Sequence, residues 1–228
     1  TYRNRYTERI KMKNQTFISD INNLRDNFKQ NSIEMSRSII TNLSALPEDG
    51  RAYHENRAKK TSEILKDTLE DKFLCHIGCQ TGIVTQEFSK VCSKILAIDI
   101  EESSIEETSQ RTYDCPVDIK KIDAIKHLEE NPDVNPEVFY LWMNYKAMEP
   151  WIDKIMEVRG HTNPTIILGI GLQKVVSPVE NGEPLQLVEA KRIKEKYNGN
   201  IRLASFPVSD FTRRNQGAFG LLVLKGLK

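Results

Sequence analysis

From residue 73 onward, short apolar runs alternate with amphipathic stretches. The runs occupy 73–77, 94–98, 117–122, 138–143 and 165–168, and helical spacing falls near 83–92, 103–113, 124–130 and 146–159. Such alternation predicts a parallel sheet built from strand–helix–strand units, an α/β architecture. A further helix near 185–197 precedes runs at 201–206 and 218–224, which are joined only by the polar connection 209–216. Two strands joined without a helix are predicted to be antiparallel neighbours.

Residues 1–70 carry no strand pattern. Phe17, Ile21, Leu24 and Phe28 lie at helical spacing, and Ile33, Ile39, Ile40, Leu43 and Leu46 repeat the stripe. Pro47 and Gly50 then mark a break, followed by a helix over 53–70 that turns Ile64, Leu65 and Leu69 inward. Helices this polar build no core of their own. The expected organisation is a helical extension or cap at 1–70 and a sheet domain at 71–228. The extension covers a substrate or pairs with a second copy as a homodimer.

Composition narrows this picture only a little. The 228 residues hold 33 basic and 32 acidic groups, a net +1, which argues against a generally basic nucleic-acid coat. Split at residue 70, the balance is +3 for the extension and −2 for the domain. Five basic residues with Tyr2 and Tyr6 open the chain (Arg3, Arg5, Arg9, Lys11 and Lys13), a frayed end or a phosphate contact. No apolar run approaches the roughly 20 residues that span a bilayer, and the start lacks the apolar region of a signal peptide. Thr1 in place of Met reads as a chain cut from something longer. Cys75, Cys79, Cys92 and Cys115 lack the paired spacing of a zinc site. The expectation is reduced thiols, no metal and a cytoplasmic protein without membrane contact.

The most informative stretch is the end of the first run, His76-Ile77-Gly78-Cys79-Gln80-Thr81-Gly82, followed by a helix. Two glycines directly after a strand permit positive φ or close approach of a ligand to the backbone. Asp99 closes the second run, where an acid accepts hydrogen bonds from the ribose hydroxyls of a nucleotide-like cofactor. Asp123 closes the third, within reach of an adenine amino group, or serves as the N-cap of the helix at 124–130. Glu101, Glu102, Glu106 and Glu107 read as a solvated helix start.

In this order and spacing the sequence resembles the class I S-adenosylmethionine-dependent methyltransferase superfamily over residues 53–226. The resemblance implies a Rossmann-like seven-stranded sheet, order 3-2-1-4-5-7-6, with the last strand antiparallel. It implies S-adenosyl-L-methionine as cofactor. The Gly78 and Gly82 loop would lie under it, Asp99 and Ile100 at its ribose, and Asp123 and Ala124 beside its adenine. Asn144 and Tyr145, at the fourth strand end, fall where the family puts substrate or catalytic groups, and Asn144, like His76 and Gln80, is also expected at the cofactor. His76 stands where the family has an acid, and Gln80 where it has a middle glycine. For His76 three readings stay open: an adapted cofactor contact, lost activity, or a satisfied buried histidine.

The rest of the chemistry is sparse. The fourth strand end is not the Asn/Asp-Pro-Pro-Tyr/Phe motif of enzymes that methylate DNA bases. The fifth run leads into Gly169, Ile170 and Gly171, without a carboxylate for a divalent ion. Candidate proton acceptors are His54 and Tyr53 on the helix before the glycine loop, and His161 before the fifth strand, with an ordinary surface histidine as the other reading of His54 and His161. Trp142 is expected in the core, and Trp151 on a packing face. The long loop 173–184 brings Lys174, and the last connection brings Arg213 and Arg214, as cations for an anionic substrate or as solvated charges. The expected function is metal-free methylation of a small molecule, a sugar or metabolite hydroxyl, with His54, Asn144 and Tyr145 as catalytic candidates. The alternatives are a non-catalytic methyltransferase-like binding subunit, a nucleic-acid methyltransferase and a nicotinamide-dependent oxidoreductase.

Overall fold

Seven strands form one mixed sheet between two layers of helices. The computed structural model describes residues 48–142, 145–171, 179–180, 183–207 and 216–227. All of them belong to one unit, 40–228. The helices expected at 15–30 and 32–46, Asn144, Lys174, Arg213 and Arg214 lie outside the described residues.

In chain order the elements are α1 (Glu48–Leu69), β1 (Phe73–Ile77), α2 (Ile83–Ser89), β2 (Lys94–Asp99), α3 (Glu102–Ser109), β3 (Val117–Lys121) and α4 (Ala124–Glu130). Then come β4 (Val138–Trp142), α5 (Met148–Arg159), β5 (Thr165–Gly171), α6 (Leu185–Tyr197), β6 (Asn200–Pro207) and β7 (Gln216–Leu224). A two-residue ladder, Val179–Glu180 on Glu183–Pro184, lies between β5 and α6.

The sheet order is β3-β2-β1-β4-β5-β7-β6. The first five positions are parallel, with Leu74 paired to Ile95 on one side and to Val138 on the other. β7 runs antiparallel to both β5 and β6, as the helix-free connection requires.

The central strands read as near-continuous apolar runs because both of their faces are covered. Cys75, Ile77, Leu96, Ile98, Phe139, Leu141, Ile166 and Leu168 pack with α4, α5 and α6 on one side. Leu74, Ile95, Ala97, Val138, Tyr140 and Ile167 pack with α1 and α2 on the other. Edge strand β3 is less covered, with no fully buried residue, and exposes Asp118 and Lys121 to water. Charge on an edge blunts unwanted strand pairing.

Helix α1 begins at Glu48, five residues before the expected start, so Gly50 lies inside it rather than in a break. Glycine in a helix costs only about 1 kcal/mol relative to alanine. The inward stripe offsets that cost. Leu65 and Leu69 are fully buried in the sheet's own core, and each such side chain contributes roughly 1.5–3 kcal/mol. Arg202 of β6 fixes the helix further. It donates to both Asp67 carboxylate oxygens, at 2.6 and 3.0 Å, and to the Ile64 carbonyl at 2.7 Å.

Arg159 closes the opposite layer. It is buried and donates to the carbonyls of Leu128, Asn131, Val134 and Val158. A cation there also suits the C-terminal end of α4.

Candidate functional site

The strand order reverses between β1 and β4, so the chain leaves these neighbours toward opposite helical layers. A crevice opens at the carboxyl ends of strands around such a point. The loop 78–82 lies at that end of β1.

The loop is fixed by bonds to the next strand and helix. The Gly78 and Cys79 N–H groups donate to the Ile98 carbonyl at 2.8 and 3.1 Å. Gln80 has φ +50, a left-handed conformation that glycine adopts more readily. Its N–H donates to the Asp99 carboxylate at 2.8 Å, and its carbonyl accepts from the Thr108 hydroxyl at 2.7 Å. These two bonds hold a glutamine in a backbone conformation that favours glycine.

The two glycines differ in their surroundings. Both have φ +70. A Cβ on Gly82 would come within 3.0 Å of Thr108, so that site is closed by packing. A Cβ on Gly78 would meet nothing within 4 Å, so open space lies directly above the strand end.

Asp99 closes β2 and is 8% exposed. One oxygen takes Gln80 N–H and the other takes Glu101 N–H at 3.1 Å. Each oxygen keeps a second lone pair for a further donor. Next to it, Ile100 is 66% exposed, an apolar surface beside a polar anchor. At the end of β3, Asp123 is the N-cap of α4 and accepts from Lys126 N–H at 2.9 Å. One of its two oxygens is committed to the helix in this way. Ala124 behind it is buried.

His76 is turned into the core under the loop. Its Nδ1 is 2.8 Å from the Thr85 hydroxyl, and its ring meets Tyr140 edge-on at 5.1 Å. Burial pushes its imidazole down to about 3, so it is neutral near pH 7. This is the arrangement of a satisfied buried histidine. Burial also pushes the Cys79 thiol in the loop up to about 12, which leaves no thiolate there.

Helix α1 brings a second group to the same end of the sheet. Ala58 packs against Ile83, the residue after Gly82. His54 lies one helical turn earlier on the same face. Its ring is edge-on to Tyr53 at 5.4 Å. Burial and the neighbouring Arg57 push His54 down to about 4. The Arg57 guanidinium lies over the Trp142 ring, 4.6 Å from its centroid. Trp142, expected in the core, is half-buried and lies over Gly169 of β5.

Tyr145 starts a short 3₁₀ turn, 145–147. His161 is exposed, away from these groups on the connection into β5. Among the described residues no three His, Cys, Asp or Glu side chains gather as a metal site. No described helix is long and apolar enough to cross a membrane. The Arg57–Trp142 pair was missed in the sequence, where no local spacing links the two residues.

No family model matches the chain, and no curated protein matches it in sequence. Solved structures do match. Magnesium protoporphyrin IX methyltransferase from Synechocystis PCC 6803, with bound SAH, superposes with TM-score 0.58 at 13% identity, covering 89% of this chain and 97% of that one. Precorrin-6y C5,15-methyltransferase from Geobacter metallireducens GS-15 gives 0.51 at 14% identity, over 73% and 87%. Precorrin 8w decarboxylase from Methanobacterium thermoautotrophicum gives 0.50 at 15% identity, over 75% and 90%. The fold is that of the class I S-adenosylmethionine-dependent methyltransferases.

Proposed function

We propose that the chain binds S-adenosylmethionine across the ends of β1, β2 and β3 and methylates a small molecule, a sugar or metabolite hydroxyl, without a metal. The observation that carries this reading is the open space above Gly78 beside the Asp99 carboxylate. A Cβ would fill that space, and the lone pairs left on Asp99 suit a ribose diol. Exposed Ile100 offers an apolar face for adenine, and the Asp123 oxygen not used in the cap suits its amino group. The cofactor found in the Synechocystis methyltransferase of the same fold fits this arrangement.

Bound there, the cofactor supplies a methyl group on a positively charged sulfur. The protein's part is to orient a hydroxyl oxygen in line with that carbon, exclude water and take up the proton. His54 is the candidate acceptor for the proton. It is neutral at pH 7 and lies one turn from the residue that contacts the loop's end. Titration calorimetry with S-adenosylhomocysteine tests the reading. Saturable binding that Asp99→Ala weakens supports it, and a silent titration up to millimolar ligand removes it.

A second reading is a subunit that binds the cofactor without turning it over. It is favoured by His54, whose lowered value makes it a weak base, and by His76, a neutral buried ring in place of an acid. Cofactor binding with no methyl transfer to any of a panel of hydroxyl acceptors would support it over the first.

A further inference from the structure

We propose that Arg57, laid on the Trp142 ring, receives a carboxylate carried by the methyl acceptor; this rests on the methyl-transfer reading above. The guanidinium is half-buried and lies 4.6 Å from the indole centroid. Among the described residues it forms no ion pair and no side-chain hydrogen bond. Other arginines of the domain are satisfied: Arg159 by four carbonyls, Arg202 by Asp67, Arg192 by Glu149 and Glu189. A partly desolvated cation with no counter-charge among the described residues is costly, and an incoming anion removes that cost.

The shape of the group selects the anion. The guanidinium carbon lies over the indole, so the ring covers one side of the group and leaves N–H donors on the side away from it. Those donors match the two oxygens of a carboxylate. One guanidinium balances a single negative charge, which suits a carboxylate better than a phosphate dianion.

Position separates this site from the proposed cofactor contacts. Asp99, Ile100 and Asp123 lie at the ends of β2 and β3, on one side of β1. Trp142 ends β4 on the other side. A Cβ on Gly169 of β5 would come within 2.1 Å of its indole, and the Phe219 ring of β7 is 6.3 Å away. Packing from three strands thus fixes the indole, and the indole fixes Arg57. His54 is one turn from Arg57 along α1, so a carboxylate held there brings the rest of the acceptor beside an imidazole.

The test uses the full chain. Trp142 and Trp151 are its two tryptophans, so Trp151→Phe leaves Trp142 as the reporter. Benzoate is titrated against its emission, with benzamide as the uncharged isostere. Saturable benzoate binding is expected, at least tenfold tighter than benzamide. Arg57→Met should weaken benzoate at least tenfold while S-adenosylhomocysteine affinity stays within about threefold. Arg57→Lys, which keeps the charge and loses the fork, should retain part of the benzoate affinity. Equal binding of benzoate and benzamide, or an unchanged benzoate response in a folded Arg57→Met chain, overturns the proposal. So does a loss of S-adenosylhomocysteine affinity in Arg57→Met that spares 5′-methylthioadenosine, which lacks the amino-acid carboxylate. Benzoate binding through Arg57 in a chain that never binds S-adenosylhomocysteine keeps the carboxylate site and removes the methyl-transfer reading.

Discussion

The Asp99 carboxylate accepts the Gln80 backbone N–H at 2.8 Å, so the acid at the end of β2 also holds the loop at the end of β1. With Thr108 on the Gln80 carbonyl, it keeps a non-glycine residue at φ +50. One carboxylate thereby shapes the crevice and offers its remaining lone pairs to whatever enters. Asp99→Asn loses acceptor capacity at both tasks. The expected outcome is a 10–100-fold loss of S-adenosylhomocysteine affinity, about 1.4–2.8 kcal/mol, by calorimetry. Wild-type affinity in that variant would remove Asp99 from the site.

The two loop glycines should fail differently. Gly82→Ala sets a Cβ within 3.0 Å of Thr108 at a positive φ, so it should destabilise the fold by about 2–4 kcal/mol. Gly78→Ala carries only the φ penalty, about 1–2 kcal/mol. Its methyl group projects into the open space, so it should stay folded and lose cofactor affinity at least tenfold. Urea unfolding and calorimetry on both variants check this. Equal stability losses with unchanged binding would contradict it.

His76 and His54 give stability a pH dependence of known sign. Their folded-state values, about 3 and about 4, lie below the ordinary 6.5. Below pH 6.5 the unfolded chain therefore binds protons that the folded chain does not. The stability that neutral burial provides is present above that pH and is lost as pH falls toward 4 and then 3. Each imidazole contributes a slope approaching about 1.4 kcal/mol per pH unit. Urea unfolding between pH 6.5 and 5 should give a shallower slope for His76→Gln than for the unaltered chain. Identical slopes would mean that the His76 ring is not held neutral.

Arg159 is a structural cation and should behave as one. Arg159→Met leaves four carbonyls, buried or partly buried, without this donor. A loss of about 2–4 kcal/mol in urea unfolding is expected, with S-adenosylhomocysteine affinity unchanged. A binding defect in a stable variant would assign Arg159 a role beyond the fold.

The sheet was legible because each strand is a short apolar run and each helix a spaced stripe. The order of Gly78, Gly82, Asp99 and Asp123 pointed to the crevice for the same reason: strand ends are where such runs stop. The bonds inside the site were not legible. Gln80 and Thr108 are 28 residues apart, and nothing local to either signals that one holds the other. Arg57 and Trp142 meet because α1 packs on the sheet, a tertiary event. In sequence Arg57 is one basic residue on a polar helix. Arg159 was hidden likewise, since periodicity places a charged residue outside unless its partners are visible. The early start of α1 was obscured by Gly50, whose weak local preference the packing of the helix overrides.

The most direct test of the account is calorimetric titration of S-adenosylhomocysteine into the full chain at pH 7. The account expects one saturable site of micromolar affinity, weakened at least tenfold by Gly78→Ala in a chain that remains folded. No binding heat up to millimolar ligand, from protein with an intact thermal unfolding transition, would contradict it.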